Sequence, residues 1–142
     1  MNYLVDTNIL THPARRTPSP RVLEWLRANQ TGLYTSVLVI GEIVYGIQKL
    51  PHNSQRRQAL EVSLQQTRRV MEGRVLSLNS RVADEWGRLV CEMEVKGQLL
   101  PVVDSLLAAT ARRYQLTVAT DNTSDFAHTG LHLVNPLKQA DD

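Results

Sequence analysis

Short apolar runs alternate with longer stretches in which apolar residues recur at helical spacing. Tyr3-Leu4-Val5 reads as a short buried strand, and residues 7–10 start a helix that Pro13 limits. Residues 15–20, Arg-Arg-Thr-Pro-Ser-Pro, form a loop. Val22, Leu23, Trp25 and Leu26 mark one face of a helix that ends near Gly32, with Ser19 and Pro20 as its start signals. Residues 33–35 make a second strand. Ser36 caps a helix over 37–50, which Pro51 stops. Residues 54–72 predict a polar helix with Leu60, Leu64 and Val70 inward and Gly73 at its end. A third strand follows over 74–78. Asn79 or Ser80 caps a helix to about Gly97 carrying Val82, Trp86, Leu89, Val90 and Met93. Asp104 caps the next, to about Tyr114. Residues 116–120 are a fourth strand, a turn or short helix lies near Asp125-Phe126, and residues 131–134 are a fifth strand. The tail from Lys138 frays.

Strands of this length alternating with helices predict an α/β fold on a parallel sheet, with the strands buried on both faces. At 142 residues the chain is expected to be one domain, 1–142, with no repeat or linker.

Acidic residues change the picture. Asp6 ends the first strand, Glu42 interrupts the apolar stretch 37–45, Asp104 follows Val102-Val103, and Asp121 follows the fourth strand with Asp125 close behind. A carboxylate beside an apolar segment is costly to desolvate unless it finds a partner. In open α/β sheets ligands bind beyond the carboxyl ends of the strands, where Asp6 and Asp121 fall. Asp104 at a helix start and Glu42 one and a half turns into its helix reach the same edge. Clustered carboxylates repel, and a hard cation, Mg²⁺ or Mn²⁺, relieves the repulsion. Such ions activate water for attack on phosphorus. Each residue also has a plainer reading: Asp104 and Asp6 as helix caps, Asp121 as a turn residue, Glu42 as a solvated helix side chain. Thr7, Asn8, Ser36 and Asn122 stand next to these acids and either orient them or cap backbone.

The net charge of +2 is small, but Arg supplies most of the positive charge, with Lys only at 49, 96 and 138. Arg is the better bidentate ligand for phosphate, which leans toward a nucleic-acid partner. Arg15, Arg16 and Arg112 are the candidate contacts. Cys91 is the only cysteine, so no intrachain disulfide forms and a cytoplasmic home fits. No apolar run approaches the length of a membrane span. Glycine-rich phosphate loops, Gly-x-Ser-x-Gly and His-Glu-x-x-His are missing, which disfavours phosphate-loop hydrolysis, serine hydrolysis and zinc proteolysis.

Four segments in order resemble the motifs of PIN-domain ribonucleases: Tyr-Leu-Val-Asp6-Thr-Asn-Ile-Leu, Ser36-Val-Leu-Val-Ile-Gly-Glu42-Ile-Val-Tyr-Gly, Val-Val-Asp104-Ser-Leu-Leu-Ala-Ala-Thr-Ala and Thr-Val-Ala-Thr-Asp121-Asn-Thr-Ser-Asp125-Phe. Their order and spacing are similar to the VapC toxins, in particular the FitB-like branch, over nearly the whole chain. The resemblance implies a three-layer α/β/α PIN-like fold and an endoribonuclease toxin dependent on Mg²⁺ or Mn²⁺, acting on tRNA or ribosomal RNA. It also implies a homodimer and a partner antitoxin with a DNA-binding domain. By matching position Asp6, Glu42 and Asp104 carry over as the acidic triad. The fourth motif departs from the acidic pattern, because Asn122 stands where the FitB-like form has an acid. Asp121, Asn122 and Asp125 therefore compete for the fourth place. Two alternatives remain: a catalytically weak PIN-like interaction module, and a haloacid-dehalogenase-type phosphatase with Asp6 as nucleophile, which wants a second Asp where Asn8 stands.

Overall fold

The computed structural model describes residues 1–138. Strand β1 (Tyr3–Val5) runs into the one-turn helix α1 (Thr7–Leu10), a 3₁₀ turn at His12–Ala14 and helix α2 (Pro20–Ala28). Strand β2 (Leu33–Ser36) is followed by α3 (Val37–Gln48) and α4 (Gln55–Val70). Strand β3 (Val75–Leu76) leads to α5 (Ser80–Val95) and α6 (Val102–Tyr114). Strand β4 (Thr117–Ala119), a 3₁₀ turn at Thr123–Phe126 and β5 (Leu133–Val134) complete the order.

The five strands form one sheet in the order β3-β2-β1-β4-β5, and every pair is parallel. The register puts Leu4 opposite both Tyr34 and Val118. From β1 the chain works outward to β2 and β3, then crosses back to β4 and works outward to β5. With right-handed crossovers this reversal places α1–α4 on one face and α5–α6 on the other, the three-layer arrangement that the resemblance implied. The reversal also makes β1 and β4 the topological switch point, whose carboxyl ends diverge into a crevice.

Leu4, Val5 and Val118 have no exposed surface, as their position between two helical layers requires. Phe126, Leu89 and Leu107 fill the core beneath them. Trp86 joins α5 to α6 by donating its ring N–H to Ser105 Oγ at 2.8 Å. Gly32 passes so close to the N-terminal segment that a Cβ there would lie 2.7 Å from the Met1 carbonyl oxygen.

Several local expectations shift. Edge strands β3 and β5 are two residues long, because each has a neighbour on one side only and pairing stops where that neighbour does. Val70 is exposed and Met71 takes the inner place; the series 60, 64, 67, 71 keeps the 3.6-residue period and Val70 falls off it. The α6 cap is Pro101, with Asp104 in the first turn instead. Proline pre-sets backbone suited to a helix entry, so the helix starts two residues before Asp104. Of the tail expected to fray, residues 139–142 lie outside the described region.

Candidate active site

Asp6 leaves β1 with its backbone N–H bonded to the Ala119 carbonyl of β4 at 2.9 Å, so the ladder carries it to the switch point. It caps α1, and Oδ1 accepts from Thr7 N–H at 2.8 Å. Oδ2 accepts from the Thr120 hydroxyl, one residue past β4, at 2.9 Å. Thr120 Oγ1 in turn accepts from Asn122 N–H at 3.0 Å and from Asn8 Nδ2 at 3.4 Å. Asn8 Oδ1 accepts from Asp121 N–H at 3.1 Å. The ends of β1 and β4 are thus laced together by Asp6, Asn8 and Thr120. Asn8 is committed on both sides as a strut, and its amide cannot exchange a proton as the second acid of a phosphatase must.

Asp6 is 8% exposed. Burial raises its pKa above the usual carboxylate value; the Thr7 and Thr120 hydrogen bonds oppose the rise, and the Asp121 charge adds to it. Asp104, half-buried at the start of α6, is also raised: first by burial, then by the charges of Asp6, Asp125 and Glu42. Five carboxylates from four separate segments therefore share one field. Glu42 stands on the exposed side of α3, off its buried Val39-Ile40-Ile43-Ile47 stripe, and Oε1 accepts from the Thr7 hydroxyl at 2.6 Å. Tyr45 on the same side is itself 66% exposed, and what fixes Glu42 is Thr7.

The other residues divide. Ser36 is buried and caps α3 by accepting from Leu38 N–H at 3.0 Å. Asn122 and Asp125 are exposed, and Asp125, third in the 3₁₀ turn, adds its charge to Asp104's field. Asp121 is half-buried, and its Oδ1 is enclosed without a hydrogen-bond donor. Arg15 and Arg16 are exposed in the loop between the His12–Ala14 turn and α2. Arg112 is corrected: its guanidinium binds Glu92 at 2.7 and 3.1 Å and Glu85 at 2.9 Å, so it ties α6 to α5. Glu85 accordingly is half-buried. Sequence reasoning missed Thr120 and His12. A polar residue directly after a fully buried strand was the available signal for Thr120; nothing in the sequence singled out His12.

Among the described residues, no three acidic, imidazole or thiol side chains stand close enough to enclose an ion as they are. The donor set still fits a hard cation: carboxylate, hydroxyl and amide oxygens only, with an excess of negative charge that already disfavours ionisation of Asp104.

A PIN-domain family profile matches residues 3–130. The chain is a PIN-domain protein. This PIN domain is 30% identical to the toxin FitB of Neisseria gonorrhoeae over 94% of the chain and 96% of FitB. It is 28% identical to the VapC ribonuclease Y4jK of Sinorhizobium fredii, covering 96% of the chain and 99% of that protein. The FitAB complex bound to a DNA fragment superposes with a TM-score of 0.89 at 26% identity, over 98% of each chain. No described helix of the PIN domain is long and apolar enough to cross a membrane.

Proposed function

We propose that this PIN domain is the toxin of a type II toxin–antitoxin pair, an endoribonuclease that hydrolyses phosphodiester bonds in tRNA or ribosomal RNA. The observation that carries the reading is the convergence of Asp6, Glu42, Asp104 and Asp125 beyond β1 and β4, on a chain similar end to end to a VapC ribonuclease and to FitB. Asp6 and Asp104 hold a divalent cation, Mg²⁺ or Mn²⁺, with Glu42 as a further ligand or as the group that orients the attacking water. Asp125 supplies the fourth carboxylate in this reading, because its charge acts on Asp104. The cation, when bound, supplies Lewis-acid stabilisation of the phosphoryl oxygens and a more acidic water. Thr120 and the Thr7 N–H fix both oxygens of Asp6, and the Thr7 hydroxyl aims Glu42. Arg15 and Arg16 receive the RNA backbone.

The proposal includes a cytoplasmic location, a homodimer and an antitoxin with a DNA-binding domain. Exposed Val95, Leu99 and Val102 between α5 and α6 support self-association. FitAB as a complex on DNA supports the antitoxin. The test is cleavage of purified RNA by the parent and by Asp104→Asn in Mg²⁺ or Mn²⁺. Cleavage by the parent alone is expected; equal rates would overturn the assignment.

A further inference from the structure

His12 is 2% exposed, and its two ring nitrogens have different fates. Nε2 accepts from Ser19 N–H at 2.8 Å, so in the neutral ring the proton sits on Nδ1. That Nδ1 is enclosed and has no acceptor. Asp121 Oδ1 is enclosed and has no donor. One buried donor and one buried acceptor are thus unsatisfied near the same switch point, and an unmade bond of this kind is costly for each. The imidazole pKa is lowered, first by burial and then by the Arg15 charge, against an opposing pull from Asp121. His12 is therefore neutral at pH 7, with the Asp121 charge near enough to act on it.

We propose that His12 Nδ1–H pairs with Asp121 Oδ1 through one bridging water, and that this couple seats the Arg15–Arg16 loop beside the carboxylate cluster. Asp121 is then a positioning residue, and its oxygen is turned away from any metal. The geometry explains how. His12 holds both ends of the loop: its carbonyl accepts from Arg15 N–H at 3.0 Å, and its ring accepts from Ser19 N–H at the start of α2. Arg56 braces the entry to the loop by donating to the Ala14 carbonyl at 2.8 Å. On the other side, Asp121 N–H is bonded to Asn8, which reaches Thr120 and so Asp6. The couple is the link missing from an otherwise continuous path between Asp6 and the basic loop. Its value for RNA rests on the ribonuclease reading; its existence does not.

The test uses the full chain. Nitrogen-15 NMR of the parent is expected to show His12 neutral at pH 7 with the proton on Nδ1, a tautomer that Ser19 keeps in all variants; the Nδ1–H proton is expected to exchange with solvent as slowly in Asp121→Asn as in the parent and about tenfold faster in Asp121→Ala. Asparagine keeps the acceptor oxygen; alanine does not. Trypsin should cut after Arg15 or Arg16 about tenfold faster in Asp121→Ala and at the parent rate in Asp121→Asn. Mn²⁺ affinity by calorimetry should be unchanged in Asp121→Asn. With RNA, Asp121→Ala should raise KM and flatten the salt dependence with little change in kcat. A proton on Nε2, unaltered proteolysis in Asp121→Ala, or a roughly tenfold loss of Mn²⁺ affinity in Asp121→Asn each overturn the couple. If the parent cuts no RNA while NMR and proteolysis behave as stated, the ribonuclease reading fails and the couple stands.

Discussion

Asp6→Asn separates the cost of the site from its use. Asparagine caps a helix as well as aspartate does, so the amide oxygen keeps the Thr7 N–H at the start of α1. The amide nitrogen then faces Thr120 Oγ1, which is already accepting from Asn122 and Asn8. Its hydroxyl proton loses a charged acceptor, a cost of about 1.5–3 kcal/mol. Against this, the variant removes a buried charge whose pKa is raised by desolvation and by Asp121, and it relieves Asp104 of one repulsive neighbour. The two effects have opposite signs and offset each other. The melting temperature without metal is therefore expected within about 5 °C of the parent.

Metal breaks the balance. At Mn²⁺ concentrations about 100 times its Kd the parent gains ~2.7 kcal/mol, roughly 6–10 °C for a domain of this size. Asp6→Asn should gain almost none of it and should cleave RNA at least about a hundredfold more slowly, since several kcal/mol of transition-state stabilisation go with the ion. Calorimetric scans with chelator and with Mn²⁺, beside cleavage of end-labelled RNA, measure both. A metal-dependent shift in Asp6→Asn equal to the parent's would refute the assignment of Asp6 as ligand, and a loss of more than about 4 kcal/mol without metal would refute the balance drawn from Thr120.

Three further outcomes follow from the same geometry. Asp6 and Asp104 are raised, so in the folded chain they bind protons at a pH where the unfolded chain has released them; their contribution to stability grows as pH falls from 7 and levels off near the unfolded value of about 4. His12 is lowered and works the other way, losing stability below about pH 6.5, so the comparison is made against a double variant, Asp6→Asn with Asp104→Asn. In urea with chelator, the double variant's advantage over the parent should be largest at pH 7 and gone near pH 4; a constant difference contradicts it. Arg112→Ala should lower stability by about 1 kcal/mol and leave the salt dependence of RNA binding unchanged, whereas Arg15→Ala should reduce the logarithmic salt slope by roughly 0.7–1. Gln115 ends α6 at φ 56°, a left-handed conformation that disfavours a side chain, and Leu116 N–H closes the turn on the Ala111 carbonyl at 2.9 Å. Gln115→Gly should raise stability by about 1 kcal/mol in urea unfolding; a loss would mean that the Gln115 side chain carries an interaction of its own.

Much of the fold was legible because strand and helix signals were local. β1 and β4 are buried on both faces and read as unbroken apolar runs, and Ser36, Ser54 and Asn79 announce α3, α4 and α5 by accepting from their first-turn N–H groups. The edge strands were overestimated because nothing local states how many neighbours a strand has. Arg112 shows the same limit: beside Arg113 it reads as an exposed pair, but its partners Glu85 and Glu92 lie some twenty or more residues away on α5.

The acidic positions were legible in number but not in orientation. Asp104 read as a cap, which would have turned its carboxylate onto its own helix; an entry at Pro101 places it inside the first turn, where it shares a field with Asp6, Glu42 and Asp125. Asp121 and Asp125 stand four residues apart and no sequence rule separates them. What separates them is enclosure. β4 ends at Ala119, Thr120 turns back to Asp6, and the Asp121 backbone is held by Asn8, with one side-chain oxygen enclosed and without a donor. The next turn brings Asp125 to the open side facing Asp104. A buried histidine without an acceptor, on a segment that sequence reasoning treated only as the end of a short helix, is what distinguishes the two carboxylates.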